Sequence, residues 1–499
     1  MKKFDYDLIV IGSGVAGKTA ALMAASAGKK VAIVEAGTWG GSQSSYDVPM
    51  AAAKHMSHIY FSAIEGEKFG IASSNLKFNY PTVINWIETA RSRAGIGDTK
   101  ELTEAGITCV KGFAQFLSAN EIAVGEEGKM TSAKFLIATG STPTNPNITG
   151  ANFVPGGVTL GSDEEISKSV ILPTGVFELK RIPKVALVVG AGATGCEVAE
   201  YLAEMGSKVL LSEISERVLP KEDPEAGEVI EKRLTEIGVK VLTGTRVLAV
   251  QDGGAQTLPN GRKVRAVKAS FILGGEEKSV RVETVVLATG TSPMTDLGLN
   301  NAGVKFTNKG ITTNVNMQTN VKNIYAAGDC AAVKIEHKPG MKNAPAEVPN
   351  ISSPERGSYE AAVAASNILG TGRPFVDYKG FVRMTNTNPA VACLGLTEDE
   401  CIVRDKKCMQ ILMPINRIFS ANVSDFPDGF VKILVNKDRN KIMGATIVAP
   451  NADLIAQELA LAIRNNIPLI ELAATPHVSE SWSEALKVAA KRLANSNTK

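Results

Sequence analysis

Two stretches of the chain carry the same pattern of apolar, small and polar positions at the same spacing. Residues 6–35 read YDLIVIGSGVAGKTAALMAASAGKKVAIVE and residues 184–213 read KVALVVGAGATGCEVAEYLAEMGSKVLLSE. Each opens on a continuous apolar run, the signature of a strand buried on both faces. A GxGxxG turn follows, then an alanine-rich run closed by Gly28 or Gly206. A second apolar run ends in Glu35 or Glu213, in both cases 23 residues after the first glycine. The pattern predicts strand, tight turn, helix and strand, twice over.

The spacing has a physical reason. Gly12 and Gly190 permit the strand-to-helix turn, Gly14 and Gly192 let backbone approach a pyrophosphate, and Gly17 and Gly195 allow close helix packing. A pyrophosphate would rest on the positive end of each helix, and each glutamate would accept hydrogen bonds from a ribose diol. A single GxGxxG is weak; two complete units in one chain point to two dinucleotide sites. Two further apolar runs, FLIATG at residues 135–140 and VVLATG at 285–290, each lead through a turn to a proline, Pro143 or Pro293. IYAAGD at residues 324–329 places the Asp329 carboxylate at the carboxyl end of another buried strand, where open α/β sheets bind ligands; the plainer reading is a turn cap.

These segments resemble the pyridine nucleotide-disulfide oxidoreductases, the flavoprotein family of dihydrolipoamide dehydrogenase, glutathione reductase and mercuric reductase. YDLIVIGSGVAG with Glu35 is similar to the family's FAD fingerprint, KFLIATGS and IYAAGDC to its later FAD segments, and GAGATGCEVAE with Glu213 to its NAD unit. Beyond Phe375, NPAVACLGLTEDE and ATPHVSESWSEALK resemble its C-terminal dimerisation domain. The resemblance implies an α/β fold of two Rossmann-like dinucleotide-binding domains, for FAD and NAD, followed by an α+β dimerisation domain. It places a first FAD segment at 1–160, the NAD domain at 161–285, a second FAD segment at 286–368 and the interface domain at 369–499, and it implies a homodimer. Residues 335–354, with several prolines, read as a solvated loop.

On the FAD side the resemblance assigns Gly12, Ser13, Gly14, Val15, Ala16 and Gly17, then Glu35, Ala36, Gly41 and Ser42. Ala138, Thr139, Gly140, Gly328 and Asp329 complete that set. On the NAD side it assigns Gly190, Gly192, Ala193, Thr194, Gly195, Glu197, Glu213 and Gly290.

Three departures matter. The family follows its GG with a threonine and a redox CxxxxC pair beside the flavin, whereas residues 40–50 read GGSQSSYDVPM and the first cysteine is Cys109. Neither Gln, Ser nor Asp accepts two electrons, so a disulfide relay at this segment is excluded. The family's HPxxSE motif supplies a histidine base held by its glutamate; here TPHVSE puts Thr475 in the base position, keeps Glu480 and places His477 two residues on. Met50 stands where the family carries a lysine paired with a glutamate; the matching glutamate is Glu197, with Lys54 one helical turn later as an open candidate partner. Glu480, His477 and Glu197 are therefore the catalytic candidates, with His477 read first as a partly buried interface residue. Cys196 and Cys330 read as packed small residues, and Cys393, Cys401 and Cys408 lack CxxC or metal spacing.

Composition narrows the remainder. A chain of 499 residues holds about three domains, and 44% hydrophobic with 21% charged residues fits a globular protein. A net charge of +3 gives no reason to expect nucleic acid. Six cysteines point to a reducing, cytoplasmic setting, and no apolar run approaches the roughly 20 residues of a membrane span. Glu213 argues for NAD(H), because a carboxylate repels a 2′-phosphate, with Arg217 as a weak offset. The expectation is an FAD-dependent NADH:acceptor oxidoreductase using a small-molecule electron acceptor such as a quinone, dye, metal ion or dioxygen, without a protein-bound metal. A soluble transhydrogenase and a non-catalytic flavin-binding subunit are the alternatives.

Overall fold

Both repeats form parallel sheets with a glycine turn at the carboxyl edge. In a computed structural model, the structure describes all residues except 1–3, 73–74, 127, 155–156, 161–168, 258–262, 336–351, 373, 404–406, 437–440 and 497–499. The chain divides into two units: residues 1–144 with 290–377, and residues 145–289 with 378–499. The 335–354 loop lies mostly outside the described residues.

In the first unit, Tyr6–Ile11 is the middle of a parallel set flanked by Val31–Glu35 and Gly128–Ile137, with Thr108–Lys111 beyond the one and Ile324–Ala326 beyond the other. Leu8, Ile9, Val10 and Ile11 are all buried, as an unbroken apolar run in a covered parallel strand must be. The outer half of Gly128–Ile137 instead pairs antiparallel with Glu121–Val124, and that strand pairs with Ala114–Ser118. Register sets the site. Ile11 lies beside Val34 and Ile137, and Ile137 beside Ala326, so Gly12, Glu35, Ala138 and Gly328 all emerge at one edge. Helix Val15–Ser26 packs through Ala20, Ala21 and Ala24, and helix Pro354–Leu369 lies against it. The prolines beyond the two ATG runs end short strands, Ser141–Pro143 and Thr291–Pro293, which pair antiparallel.

In the second unit a parallel sheet runs Val170–Ile171, Thr284–Leu287, Val185–Val189, Lys208–Ser212, Lys240–Leu242. Helix Ala193–Glu204 follows its glycine turn, and Val189 lies level with Ser212 and Leu287. A three-stranded antiparallel sheet, Arg246–Thr257, Lys263–Leu273 and Glu276–Val282, is an addition that no apolar periodicity announced. The C-terminal part is an antiparallel sheet in the order Val382–Thr385, Ala390–Gly395, Lys441–Ala449, Phe430–Asn436, Cys408–Pro414. Its core is closed by helices Ala452–Asn465, Leu469–Ala474 and Glu484–Ser496. The architecture is thus α/β with a C-terminal α+β portion. No helix among the described residues is long and apolar enough to cross a membrane.

Ion pairs help to tie the two parts of this unit together. Lys432, 1% exposed on a central strand, sets its ammonium 2.6 Å from Glu398, 2.9 Å from Glu225 and 3.8 Å from Asp223. Beside it Arg383 grips Glu222 with two hydrogen bonds of 2.8 and 3.2 Å.

Candidate functional site

The first glycine turn is shaped by contacts that only glycine allows. Gly12 has φ +102°, and a Cβ there would stand 2.3 Å from the Ala138 carbonyl oxygen; at Gly17 it would stand 1.8 Å from the Gly12 oxygen. Gly14 is different: its nearest neighbour is the Cα of Gly41, 4.0 Å from where a Cβ would be. Two backbone loops therefore face each other with no side chain between them. Helix Val15–Ser26 starts at Gly14 with no side-chain cap, so its first N–H groups, with Val15 and Ala16, are open to an anion.

Glu35 closes the strand end. Its Oε2 accepts from the Ser13 N–H at 2.8 Å and the Ser13 hydroxyl at 2.7 Å, and its Oε1 accepts from the Gly37 N–H at 2.6 Å, across Ala36. On the opposite side Thr139 Oγ1 donates to the Met294 carbonyl, and Gly140 takes φ +69°. Asp329 accepts from the Ser141 hydroxyl at 3.0 Å and from that of Ser352. Thus Gly12, Ser13, Gly14, Glu35, Gly41, Ala138 and Asp329 converge at one sheet edge, and the loop, helix start and carboxylates fit a dinucleotide.

Residues 12–19 also satisfy GxxxxGK[ST], a nucleoside-triphosphate loop signature. The geometry removes that reading. The helix has already begun at Val15, Lys18 pairs with Glu101 at 2.5 Å, and Thr19 Oγ1 bonds Ser358 Oγ at 3.2 Å.

The second turn repeats the first. A Cβ at Gly190 (φ +98°) would lie 2.4 Å from the Ala288 oxygen and one at Gly195 1.8 Å from the Gly190 oxygen, while Gly192 has nothing within 4 Å. Ala193 and Thr194 open the uncapped helix. Glu213 is buried, its Oε2 accepting from the Ala191 N–H at 2.7 Å and its Oε1 from the Ser215 N–H at 2.9 Å. Arg217 turns its guanidinium onto the carbonyls of Pro220 and Glu222, at 3.2 and 3.1 Å. Glu197 does not join the glycines: its carboxylate accepts from the backbone and side-chain N–H groups of Asn386, at 2.7 and 3.2 Å. Gly290 falls in the first unit, where its carbonyl accepts from Thr144 N–H.

At residues 43–47 the chain makes a π-helical turn, Gln43–Asp47, before helix Val48–Glu65. Ser42 donates to Asp47 at 3.1 Å, and Met50 is buried. None of the six cysteines forms a disulfide. Burial pushes the Cys196 and Cys330 thiols up from the usual range, and burial with the nearby Glu222 does the same to Cys393. Among the described residues no His/Cys/Asp/Glu cluster could hold a metal ion.

At the far end, His477 is turned inward, its imidazole 4% exposed. Nδ1 lies 3.0 Å from the Thr475 carbonyl oxygen and Nε2 3.0 Å from Glu458 Oε1. Thr475 and Glu480 are exposed, Glu480 at φ +70°. Nothing in the sequence pointed to Glu458, or to Asn386 as the partner of Glu197. It also hid Arg356 and Glu360, buried beside Gly328, although an arginine and a glutamate four apart on an apolar helix face are a readable signal.

Residues 6–362 match the family described as pyridine nucleotide-disulphide oxidoreductase, and residues 382–490 match its dimerisation domain. The chain is 29% identical to a mercuric reductase of Staphylococcus aureus, covering 97% of this chain and 82% of that protein. It is 30% identical to a dihydrolipoyl dehydrogenase of Bacillus subtilis, covering 97% and 96%. The HOCl-induced flavoprotein disulfide reductase RclA of Escherichia coli shares the fold, with a TM-score of 0.78 at 20% identity over 97% of this chain and 99% of that one.

Proposed function

The chain belongs to the pyridine nucleotide-disulphide oxidoreductase family, whose members use FAD and NAD(P)H, and from that premise we propose an FAD-dependent NADH:acceptor oxidoreductase whose acceptor is not a disulfide. The observation that carries the reading is the pairing of two glycine turns fit for dinucleotides with a stretch, residues 1–108, that contains no cysteine. When bound, FAD supplies the capacity to take two electrons from NADH and pass them on singly or in pairs, the versatility that a quinone or dye acceptor requires.

The chain's own residues bind, orient and select. The open start of helix Val15–Ser26, with Gly14 and Gly41, would hold the FAD pyrophosphate, Glu35 its adenosine ribose, and Asp329 the rest of the cofactor. Gly192 and the start of helix Ala193–Glu204 would hold the pyrophosphate of NADH. Glu213, fixed by two backbone N–H groups, would receive the ribose 2′-hydroxyl. Arg217 is committed to two carbonyls of its own loop, so it gives no cation to a 2′-phosphate; this favours NADH and weighs against a transhydrogenase that returns hydride to NADP. His477 offers no free ring nitrogen for proton transfer, its two nitrogens facing Thr475 and Glu458. The dimerisation match, with Leu454 and Leu461 exposed on helix Ala452–Asn465, supports a homodimer.

Anaerobic titration tests the reading through electron count. One NADH per flavin should bleach the oxidised band completely, whereas a dithiol beside the flavin would take up a second equivalent. Quinone turnover should survive alkylation of every thiol. A second equivalent consumed, or turnover lost on alkylation, overturns the proposal; no bleaching at all would point instead to a flavin-binding assembly subunit.

A further inference from the structure

Arg356 and Glu360 form an ion pair at the first turns of helix Pro354–Leu369, their Nε and Oε1 2.7 Å apart and the two side chains 3% and 0% exposed. Burying two charges is costly, and an apolar pair of the same volume often serves stability as well. What an apolar pair lacks is direction. Here the second carboxylate oxygen, Oε2, accepts from the Gly328 N–H at 2.7 Å, and the guanidinium donates to the Ala331 carbonyl at 3.1 Å. Both backbone groups lie beyond strand Ile324–Ala326, on either side of Asp329.

The packing around this turn is equally close. Gly328 has φ +79°, with the Ala16 Cβ 3.5 Å and the Gly357 Cα 3.7 Å from where its own Cβ would be. A Cβ at Gly357 would come within 3.3 Å of Val15. The start of the first glycine-turn helix, the 328–331 turn and the start of helix Pro354–Leu369 thus meet at one point.

We propose that Glu360, held by Arg356, is a positioning residue that fixes the 328–331 turn so that the Asp329 carboxylate faces the FAD. The proposal rests on the assignment of this sheet edge to FAD. A carboxylate hydrogen bond to an N–H, desolvated on both sides, holds that N–H in one direction; without it the turn pivots about a glycine.

The test measures FAD release from the purified holoprotein by flavin fluorescence, with the visible spectrum and thermal midpoint recorded for each variant. The double variant Arg356→Met/Glu360→Leu removes both charges together and is expected to stay folded, with a modestly lowered thermal midpoint, yet release FAD about tenfold faster, the effect of losing one charge-assisted hydrogen bond. Its flavin band should also lose vibronic structure, because a misplaced Asp329 leaves the cofactor more mobile. Glu360→Gln is the second variant should the double one not fold: with an N–H₂ forced toward either Gly328 or Arg356, it is expected to release FAD faster in the same way. FAD retained by the folded double variant, or by Glu360→Gln, as tightly as by the unsubstituted chain overturns the proposal. Asp329→Asn separates the two layers. If it too retains FAD, the flavin assignment of this edge fails; if it alone releases FAD, only the role of Glu360 fails.

Discussion

A methyl group at position 195 has nowhere to go, since it would lie 1.8 Å from a carbonyl oxygen that closes the turn. Gly195→Ala is therefore expected to cost about 3 kcal/mol of local packing and to abolish NADH-dependent bleaching while FAD stays bound, which stopped-flow absorbance on the purified variant will show. Glu213→Ala removes a fixed acceptor and a charge that repels a 2′-phosphate, and steady-state kinetics should give a KM for NADH raised about ten- to a hundredfold while that for NADPH falls. The buried thiols give a third expectation. Burial raises the pKa of Cys196, Cys330 and Cys393, so at pH 8 less thiolate is present than in an ordinary thiol, and it grows only at more alkaline pH. Titration of the native protein with an aromatic disulfide at pH 8 should leave these three unreacted until denaturant is added. The glycines and the two strand-end glutamates could be read in the sequence because a strand, a turn and a helix of set length fix their spacing. Their partners could not: Glu35 and Glu213 are steadied by backbone N–H groups, which every residue has, and His477 finds Glu458 by tertiary folding.

Elements were legible to the extent that burial repeats in the sequence. Unbroken apolar runs marked Tyr6–Ile11, Val185–Val189 and Thr284–Leu287 as central parallel strands. The sheet Arg246–Thr257, Lys263–Leu273 and Glu276–Val282 was not legible, since its strands mix charged, glycine and apolar positions and pair through local hairpins. Nor was the π-helical turn at Gln43–Asp47, which depends on backbone hydrogen bonds rather than side-chain type. The join within the second unit, hidden in the same way, makes its own prediction. Lys432→Met would leave Asp223, Glu225 and Glu398 facing one another without their cation, at a cost of about 3–5 kcal/mol, read as a lower denaturant midpoint.

At the scale of the whole molecule, two departures in the sequence fit one another: residues 40–50 hold no cysteine and Thr475 stands at the histidine position of the family motif, and on the reading proposed above a base for thiols has no work without them. Restoring one without the other should accomplish nothing, so Thr475→His is expected to leave dihydrolipoamide oxidation at background in the standard NAD-reduction assay. The unit to which we assign the flavin also has a history written into its order. Its two pieces, residues 1–144 and 290–377, are separated along the chain by all of residues 145–289. A ribosome that has finished the first glycine turn has made neither strand Ile324–Ala326 nor Asp329 nor Glu360. Cofactor capture must therefore wait for late synthesis, and nascent chains arrested before residue 320 should shed FAD that those arrested well past 377 retain.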